Sequence, residues 1–480
     1  MSRDKIGVDQ WVEQYDQRVS RSKGIQGFIE QTSRRLPVWG WLVCLVVLGA
    51  LLPVATSNTF ALRIAGNIAL MGILALGLNV VAGYAGLLDL GFVAFYGIGA
   101  YVYAYLSSDF TGIHLPTLAT FIIIVVISSL FGLLLGSPSL RLIGDYLAIV
   151  TLGFGQMFVQ LTTSLTRVSL PGRDKPVDLT GGPNGIVNLD PLSIFGLKAT
   201  TVVHYYLILL VVFALVILMI YHLYKSRVGR AWRALREDEL AAQAMGMPTR
   251  RLKLQAFAIG AGIAGFSGGL FAAWQGSVFP SNFDTTLLIT VYAIIVLGGL
   301  GSLPGVVLGA VIMIAVPDIL RNAPLAGTLF YIGVLVALFA ALKPRWQAVA
   351  LIVAVAVFGF ILRAVLVGAN PAAFVVFKPE GAIISDTVRS WLPIPNDATT
   401  IGNYAFASLI VAVLAVSRIK NSMWRLVTLV PTLYLLLFVW ETRLVEEPSI
   451  TRLLFVGVLL IVLMIYRPNG LLGQRRVEIV

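Results

Sequence analysis

The feature that most constrains this chain is its succession of long apolar runs. A membrane-spanning helix needs about 20 apolar residues. Runs of that order lie near 38–56, 61–82, 87–106, 116–136, 145–163 and 203–223, and again near 254–274, 284–301, 304–320, 326–342, 347–368, 402–417, 424–440 and 450–466. That is about fourteen. Those between 284 and 320 are broken by Gly and Pro and read as short or re-entrant helices. The pattern predicts an all-α polytopic membrane protein, a transmembrane helix bundle. Composition agrees: only 12% of residues are charged, against about 25% in soluble domains. The net charge of +12 could suit nucleic acid, but basic loops facing anionic lipid explain it more economically, so the partner implied is the lipid bilayer and not a nucleic acid. Cys44 is the single cysteine, so neither a disulfide nor a cysteine metal site can form within the chain.

One long polar segment interrupts the apolar chain. Residues 225–253, KSRVGRAWRALREDELAAQAMGMPTRRLK, hold eight basic and three acidic residues. Basic loops stay on the cytoplasmic side. Six runs precede the segment, so a cytoplasmic N-terminus, held there by Arg34 and Arg35, places it in the cytoplasm as well. The clusters Lys343/Arg345, Arg418/Lys420/Arg425 and Arg467/Arg475/Arg476 then fall on the same side, and the loops 164–202 and 369–401 on the other. Residues 1–36 carry a sparse stripe of Trp11, Val12, Tyr15 and Val19, compatible with a surface helix on the membrane or on a partner. No signal-peptide pattern stands out there.

Within the polar segment a short helix is expected from Glu237 to Gly246. Asp238 and Glu239 suit its first turn, and Leu240, Ala241, Ala244 and Met245 make one apolar stripe. Gly246 and Pro248 end it. Such a helix offers a grip to another protein, or is simply a loop obeying the charge rule. Three further stretches carry polar or small groups inside apolar runs. NVVAGYAGLLDLGFVAFYGIGAYVYA (79–104) holds Asn79, Gly83, Tyr84, Gly86 and Asp89 at or inside span edges. An intramembrane ionisable group is a functional candidate, or else a carboxylate satisfied by backbone amides, and the glycines suggest a broken helix. DYLAIVTLGFGQMFVQLTTS (145–164) offers Thr151, Gly153 and Gln156, and LTGGPNGI (179–186) offers Thr180, Gly181, Gly182 and Asn184 as a flexible outer turn. Glycines at four-residue spacing, Gly265/Gly269 and Gly301/Gly305/Gly309, fit close helix packing. The chain has no G-x-x-x-x-G-K-[ST] phosphate loop. His114, His204 and His222 are dispersed, and no metal-spaced set occurs. Arg63, Asp145 and Arg363 read as residues at span edges, inside a bundle or snorkelling from it.

These residues carry a resemblance. GRAWRALREDELAAQAMGMPTRRLKLQAFAIGAGIAGFSGGLFA resembles the cytoplasmic coupling segment of ABC-importer permeases. The stretches 79–104, 145–164 and 179–186, with IVLMIYRPNGLLG near the end, resemble the M-type permease of branched-chain amino-acid importers. The resemblance implies the type II-like importer permease fold and a transport subunit that is not itself an enzyme. It implies three kinds of protein partner: a second homologous permease, two ATPase subunits holding ATP and Mg, and a soluble substrate-binding protein. Glu237, Asp238, Glu239, Ala241, Ala242 and Gly246 would engage the ATPase, with Glu-Leu-Ala-Ala in place of the usual Glu-Ala-Ala. Asn79, Gly83, Tyr84, Gly86, Asp89, Thr151, Gly153, Gln156, Thr180, Gly181, Gly182 and Asn184 would lie along the pathway or its gate. The expected layout is an N-terminal extension over 1–36, a permease core over 37–342, additional spans and an outer loop over 343–449, and a last span and tail over 450–480. The expected activity is ATP-driven uptake of branched-chain or other hydrophobic amino acids by alternating access at the bacterial inner membrane. A urea or short-amide permease is the nearest alternative. An ion-coupled secondary transporter and a scaffold without transport are more distant ones.

Overall fold

A computed structural model describes residues 38–55, 58–139, 145–166, 178–194, 197–320, 323–342, 345–375, 383–419 and 422–446, with scattered positions between 457 and 472. The extension over 1–36, the basic pairs Arg34/Arg35 and Arg475/Arg476, Lys343, Lys378, Glu380, Lys420 and most of the last apolar run lie outside the described residues, as do the side chains of Cys44 and Asp145. The protein is a polytopic helical membrane protein. Among the described residues nine helices are long and apolar enough to cross a bilayer, with four shorter apolar helices besides. The chain packs as two compact units, residues 1–295 with 300–306 and residues 296–299 with 307–480.

The first unit holds helices α1 (Val38–Ala55), α2 (Thr59–Leu78), α3 (Phe92–Leu106), α4 (Thr117–Ser139), α5 (Asp145–Ser164), α6 (Val202–Lys225), α7 (Arg227–Glu237), α8 (Glu239–Ala244), α9 (Thr249–Gln275) and most of α10 (Thr285–Gly298). Helix α9 is the central staff, packed by α3, α4 and α2. Its small residues make this possible. A Cβ on Gly265 would collide with Ser128 Oγ of α4, one on Gly99 of α3 with the Gly265 backbone, and one on Gly269 would come 2.7 Å from Ile124 Cδ1. In lipid, helices associate by close packing rather than by hydrophobic contrast, and these glycines let the three axes approach. Gly301 does not share the expected face with Gly305 and Gly309. It precedes α11 (Leu303–Ile319), in a turn with φ +82° that favours glycine. Gly305 and Gly309 are buried within α11.

The end of this unit remote from α7 and α8 is stitched by short strands. β1 (Ser107–Ser108) pairs with β2 (Ile113–His114), β3 (Ile186–Val187) with β6 (Ser277–Val278), and β4 (Ser193–Ile194) with β5 (Leu197–Lys198), all antiparallel. Asp190 N donates to Ser107 O (2.8 Å), Leu189 N to Gly276 O (3.2 Å) and Tyr103 OH to Asp190 O (2.8 Å). The segment 178–194 is therefore pinned to the ends of α3 and α9 rather than a loose turn.

The second unit holds the rest of α11, then α12 (Ala323–Ala341), α13 (Arg345–Ala369), α14 (Ile383–Arg389), α15 (Ala398–Arg418) and α16 (Ser422–Glu446). Its core is aromatic: Phe330 stacks on Trp440 at 3.9 Å, and Tyr434 meets Phe358 at 5.2 Å. Arg389 Nε donates to Glu441 Oε2 at 2.7 Å and Tyr331 OH donates to Glu441 Oε1, so three helices meet on one buried carboxylate. An apolar cavity of about 320 Å³ lies beside it, lined by Tyr331, Leu335, Val355, Trp391 and Leu437 among others. Leu471 N and Leu472 N donate to the carbonyls of Leu297 and Gly298 (2.9 and 3.0 Å), satisfying the open end of α10.

Candidate functional site

The polar segment forms a compact knot of helix ends. Ser226 Oγ accepts from Gly229 N (3.2 Å) and starts α7. The fully buried Trp232 donates from Nε1 to Leu252 O at 2.8 Å, tying α7 to the first turn of α9. Asp238 is the N-cap of α8, its Oδ1 accepting from Ala241 N at 2.9 Å. The short helix is thus Glu239–Ala244, one turn tighter than expected, because Asp238 is extended and Glu237 closes α7. At its far end Gly246 has φ +78°, Gly246 N donates to Gln243 O and Met247 N to Ala242 O. This is the paired 5→2 and 6→1 bonding of a Schellman end. Lys253 Nζ lies 2.5 Å from Glu239 Oε1 and staples α8 to α9. Ala242 is buried against this frame, while Leu240 is 78% exposed and Met245 83% exposed, with Ala241 and Ala244 open beside them. The sequence stripe thus faces outward on a rigid six-residue helix.

The stretch 79–91 is a broken helix. α2 runs on into a π-helical turn, Asn79–Tyr84, with Ala85 N donating to Val80 O (3.2 Å) and Leu87 N to Val81 O (3.1 Å). Such turns often mark functional sites. The apolar run at 87–106 is helical only from Phe92, because Gly91 sits against α5, where a Cβ would overlap Thr151 O. Thr151 Oγ1 accepts from Leu90 N at 2.9 Å and holds the break. Asp89 is 1% exposed: Oδ1 accepts from Gly91 N (2.9 Å), while Oδ2 has no hydrogen-bond partner among the described residues. Tyr292 OH of α10 donates to Asp89 O (2.7 Å). Asn79 Oδ1 accepts from Gly301 N at 2.8 Å, and its buried Nδ2 has no hydrogen-bond partner among the described residues. Tyr84 is buried, its ring 5.0 Å from that of Tyr224.

The other candidates divide into two places. On α5, Gly153 and Gln156 are exposed in line with Val150 and Met157, and a Cβ on Gly153 meets nothing. Gln156 Nε2 donates to Thr285 Oγ1 of α10 at 2.7 Å. At the opposite end from α8, Asp178 Oδ1 accepts from Thr180 N and Gly181 N (3.1 and 2.8 Å), Gly181 and Gly182 adopt φ +67° and +53°, and Asn184 is exposed. Beneath them Phe283 gathers Tyr96, Tyr101, Phe158 and Phe271, with ring centroids 5.7 to 6.3 Å away. The structure thus brings Asn79, Gly83, Asp89 and Thr151 into one neighbourhood and leaves Thr180–Asn184 in another. Sequence reasoning passed over Arg236, Tyr292 and the aromatic cluster. In the sequence Arg236 is one of eight basic residues of the polar segment, whereas in the structure its Nη1 donates to Gly83 O.

A family model described as "Branched-chain amino acid transport system / permease component" matches residues 60–358. The chain is 39% identical over 305 residues to the high-affinity branched-chain amino acid transport system permease protein LivM of Escherichia coli, covering 59% of this chain and 68% of that protein. It is 40% identical over 273 residues to LivM of Salmonella typhimurium, covering 52% of this chain and 61% of that one. The permease protein LivH of Salmonella typhimurium is 29% identical over 266 residues, 53% of this chain and 82% of the relative. No solved structure matches. The matched region takes in the polar segment and the broken helix and ends within α13. The chain belongs to the branched-chain amino acid transport system permease family.

Proposed function

We propose that this protein is the membrane-spanning subunit of an ATP-driven importer for branched-chain or other hydrophobic amino acids. The observation that carries the reading is α8: a short, doubly capped and stapled helix that presents Leu240, Ala241, Ala244 and Met245 to its surroundings. Exposed apolar side chains on a charged cytoplasmic segment call for a protein partner, and a rigid mount lets that partner push. In this reading the complex carries two ATPase subunits, holding ATP and Mg, and one of them docks at Glu237–Gly246. A second, homologous permease completes the pathway, which supports a role for the open α5 stripe around Gly153 and Gln156 as the facing surface. A soluble binding protein delivers substrate at the end carrying Thr180–Asn184, and the N-terminus lies in the cytoplasm. The pathway opens to one side at a time by alternating access, with the break at 79–91 as its gate.

The test is copurification and uptake. The solvent-facing double change Leu240→Glu/Met245→Glu leaves the fold intact and is expected to strip the ATPase from the complex and abolish leucine uptake. Retention of both in that variant sinks the docking assignment. Stimulation of ATP hydrolysis by urea but not by leucine, isoleucine or valine on the cognate binding protein overturns the substrate and keeps the class.

A further inference from the structure

We propose that Arg236 is the positioning residue that carries movement of the docking segment into the broken helix at 79–91. The inference rests on the reading of α8 as the ATPase dock. Arg236 lies in the last turn of α7, two residues before the N-cap of α8, so the two move as one piece. Its Nη1 donates to Gly83 O. That carbonyl belongs to the last turn of the π segment, where Leu87 N has bonded instead to Val81 O, so no backbone amide of the helix satisfies it. The C-terminal end of a helix is its negative pole, where a guanidinium is favoured.

The side chain runs through a slot made by three glycines. A Cβ on Gly86 would stand 2.9 Å from Arg236 Cγ, and one on Gly301 would stand 2.7 Å from Arg236 Nη1. Gly86 and Gly301 have φ of +72° and +82°, so both positions favour glycine by conformation as well as by space. A Cβ on Gly83 would run into Asn79 Oδ1 and come within 2.8 Å of Gly301 N. Gly301 N is itself the donor to Asn79 Oδ1. One guanidinium thus sits where the end of α2, the turn before α11 and the mount of α8 converge. Displacement of α8 either drags the Gly83 carbonyl with it or breaks a charge-assisted bond. Arginine suits this place because its planar fork fits between backbones and stays charged. Lysine, a compact point charge, keeps only part of the grip.

The experiment uses the whole importer in lipid vesicles with its ATPase and binding protein, and reads leucine imported per ATP hydrolysed. Arg236→Met is expected to assemble with the ATPase but to lower that ratio about tenfold or more, and Arg236→Lys to lower it less. A merely structural role lowers yield and leaves the ratio alone. Gly86→Ala keeps the arginine and crowds it, and is expected to lower the ratio in the same direction, which keeps the inference open to test if Arg236→Met folds poorly. A ratio within about twofold of wild type in both variants overturns the link; so does loss of the ATPase from Arg236→Met, which would make Arg236 part of the dock. Leu240→Glu/Met245→Glu separates the two readings. If it keeps its ATPase, docking at α8 is wrong and the link falls with it; if it loses its ATPase while Arg236→Met and Gly86→Ala keep the wild-type ratio, the docking stands and the link alone is overturned. A chain that imports leucine with no ATPase present overturns both.

Discussion

Two carboxylates are buried to the same degree in this protein, each 1% exposed, and they are treated in opposite ways. In the second unit Glu441 is saturated: Arg389 occupies one oxygen and Tyr331 the other. In the first unit Asp89 has one oxygen on the amide two residues away, and the other has no hydrogen-bond partner among the described residues. A buried polar group left unpaired costs free energy. A fold that fully pairs one carboxylate and leaves another open shows two different uses of the same chemistry. Glu441 joins three helices into a core, whereas Asp89 sits at a break that Thr151 Oγ1 and Tyr292 OH hold through the backbone of residues 89 and 90, and its side chain adds one local bond to Gly91 N. The contrast marks the 389–441 pair as a stabilising element, and it makes the 79–91 break, proposed above as the gate, the place where a change should cost uptake more than stability.

The largest expected effect tests the first half of that assignment. Glu441→Ala removes the buried carboxylate that Arg389 and Tyr331 share, and removing one partner of a buried pair costs about 3–5 kcal/mol. The purified protein should show a sharply lowered Tm and poor recovery from membranes. The double change Arg389→Met/Glu441→Leu should restore most of the loss. A Tm unchanged by Glu441→Ala would mean that the pair contributes nothing to the core.

Next in size is the packing around α9. Gly99→Ala places a methyl group into the Gly265 backbone, and overpacking costs about 1–3 kcal/mol. It should lower Tm, whereas Gly153→Ala, where nothing stands in the way of a Cβ, should not. If Gly153→Ala spares stability and cuts uptake, the open α5 stripe is a working surface; unchanged uptake removes that role.

Asp89→Asn sharpens the comparison from the other side. It disturbs one local hydrogen bond, worth about 1 kcal/mol, so Tm should fall far less than in Glu441→Ala. Leucine uptake should drop about tenfold or more if the open oxygen serves the gate. Equal thermal losses in the two variants would erase the distinction between the carboxylates.

The sequence exposes this contrast only in part. Apolar run lengths suffice for the helices, because hydrophobic span and helix length are one constraint. The ends of α8 were nearly legible: Asp238, Gly246 and Pro248 are capping chemistry read locally, and the error of one turn arose because Asp238 caps from an extended backbone rather than sitting inside the helix. The start of α3 was misplaced for a non-local reason. Gly91 is non-helical because of Thr151 on another helix, and no window around residue 91 contains that fact. The pairing of Arg389 with Glu441, 52 residues apart, and the hold of Arg236 on Gly83, 153 residues apart, are invisible for the same reason. Motif resemblance supplied the candidates near Asp89, but their geometry is tertiary.

The smallest expected effect uses a third charged group, at the end remote from α8, where solvent reaches the pair. His114 Nδ1 lies 2.6 Å from Asp190 Oδ2, and Asp109 is 3.4 Å from the other ring nitrogen. The hydrogen bond to Asp190, and then its charge, raise the His114 pKa above its ordinary value. A histidine whose folded pKa is raised stabilises the fold fully below its unfolded pKa, about 6.5, and loses that contribution as pH rises through the folded value. Pinning of the 186–192 segment should therefore weaken between slightly acidic and slightly alkaline pH, and His114→Gln should flatten the trend. Hydrogen exchange of the Leu189 and Asp190 amides across that range measures it. Because the pair is exposed, water screens it, and the shift should be far smaller than anything seen at Glu441. A protection difference between wild type and His114→Gln that does not vary with pH would show that the strands, not the charge, hold this end, and that exposure rather than pairing decides what a carboxylate contributes here.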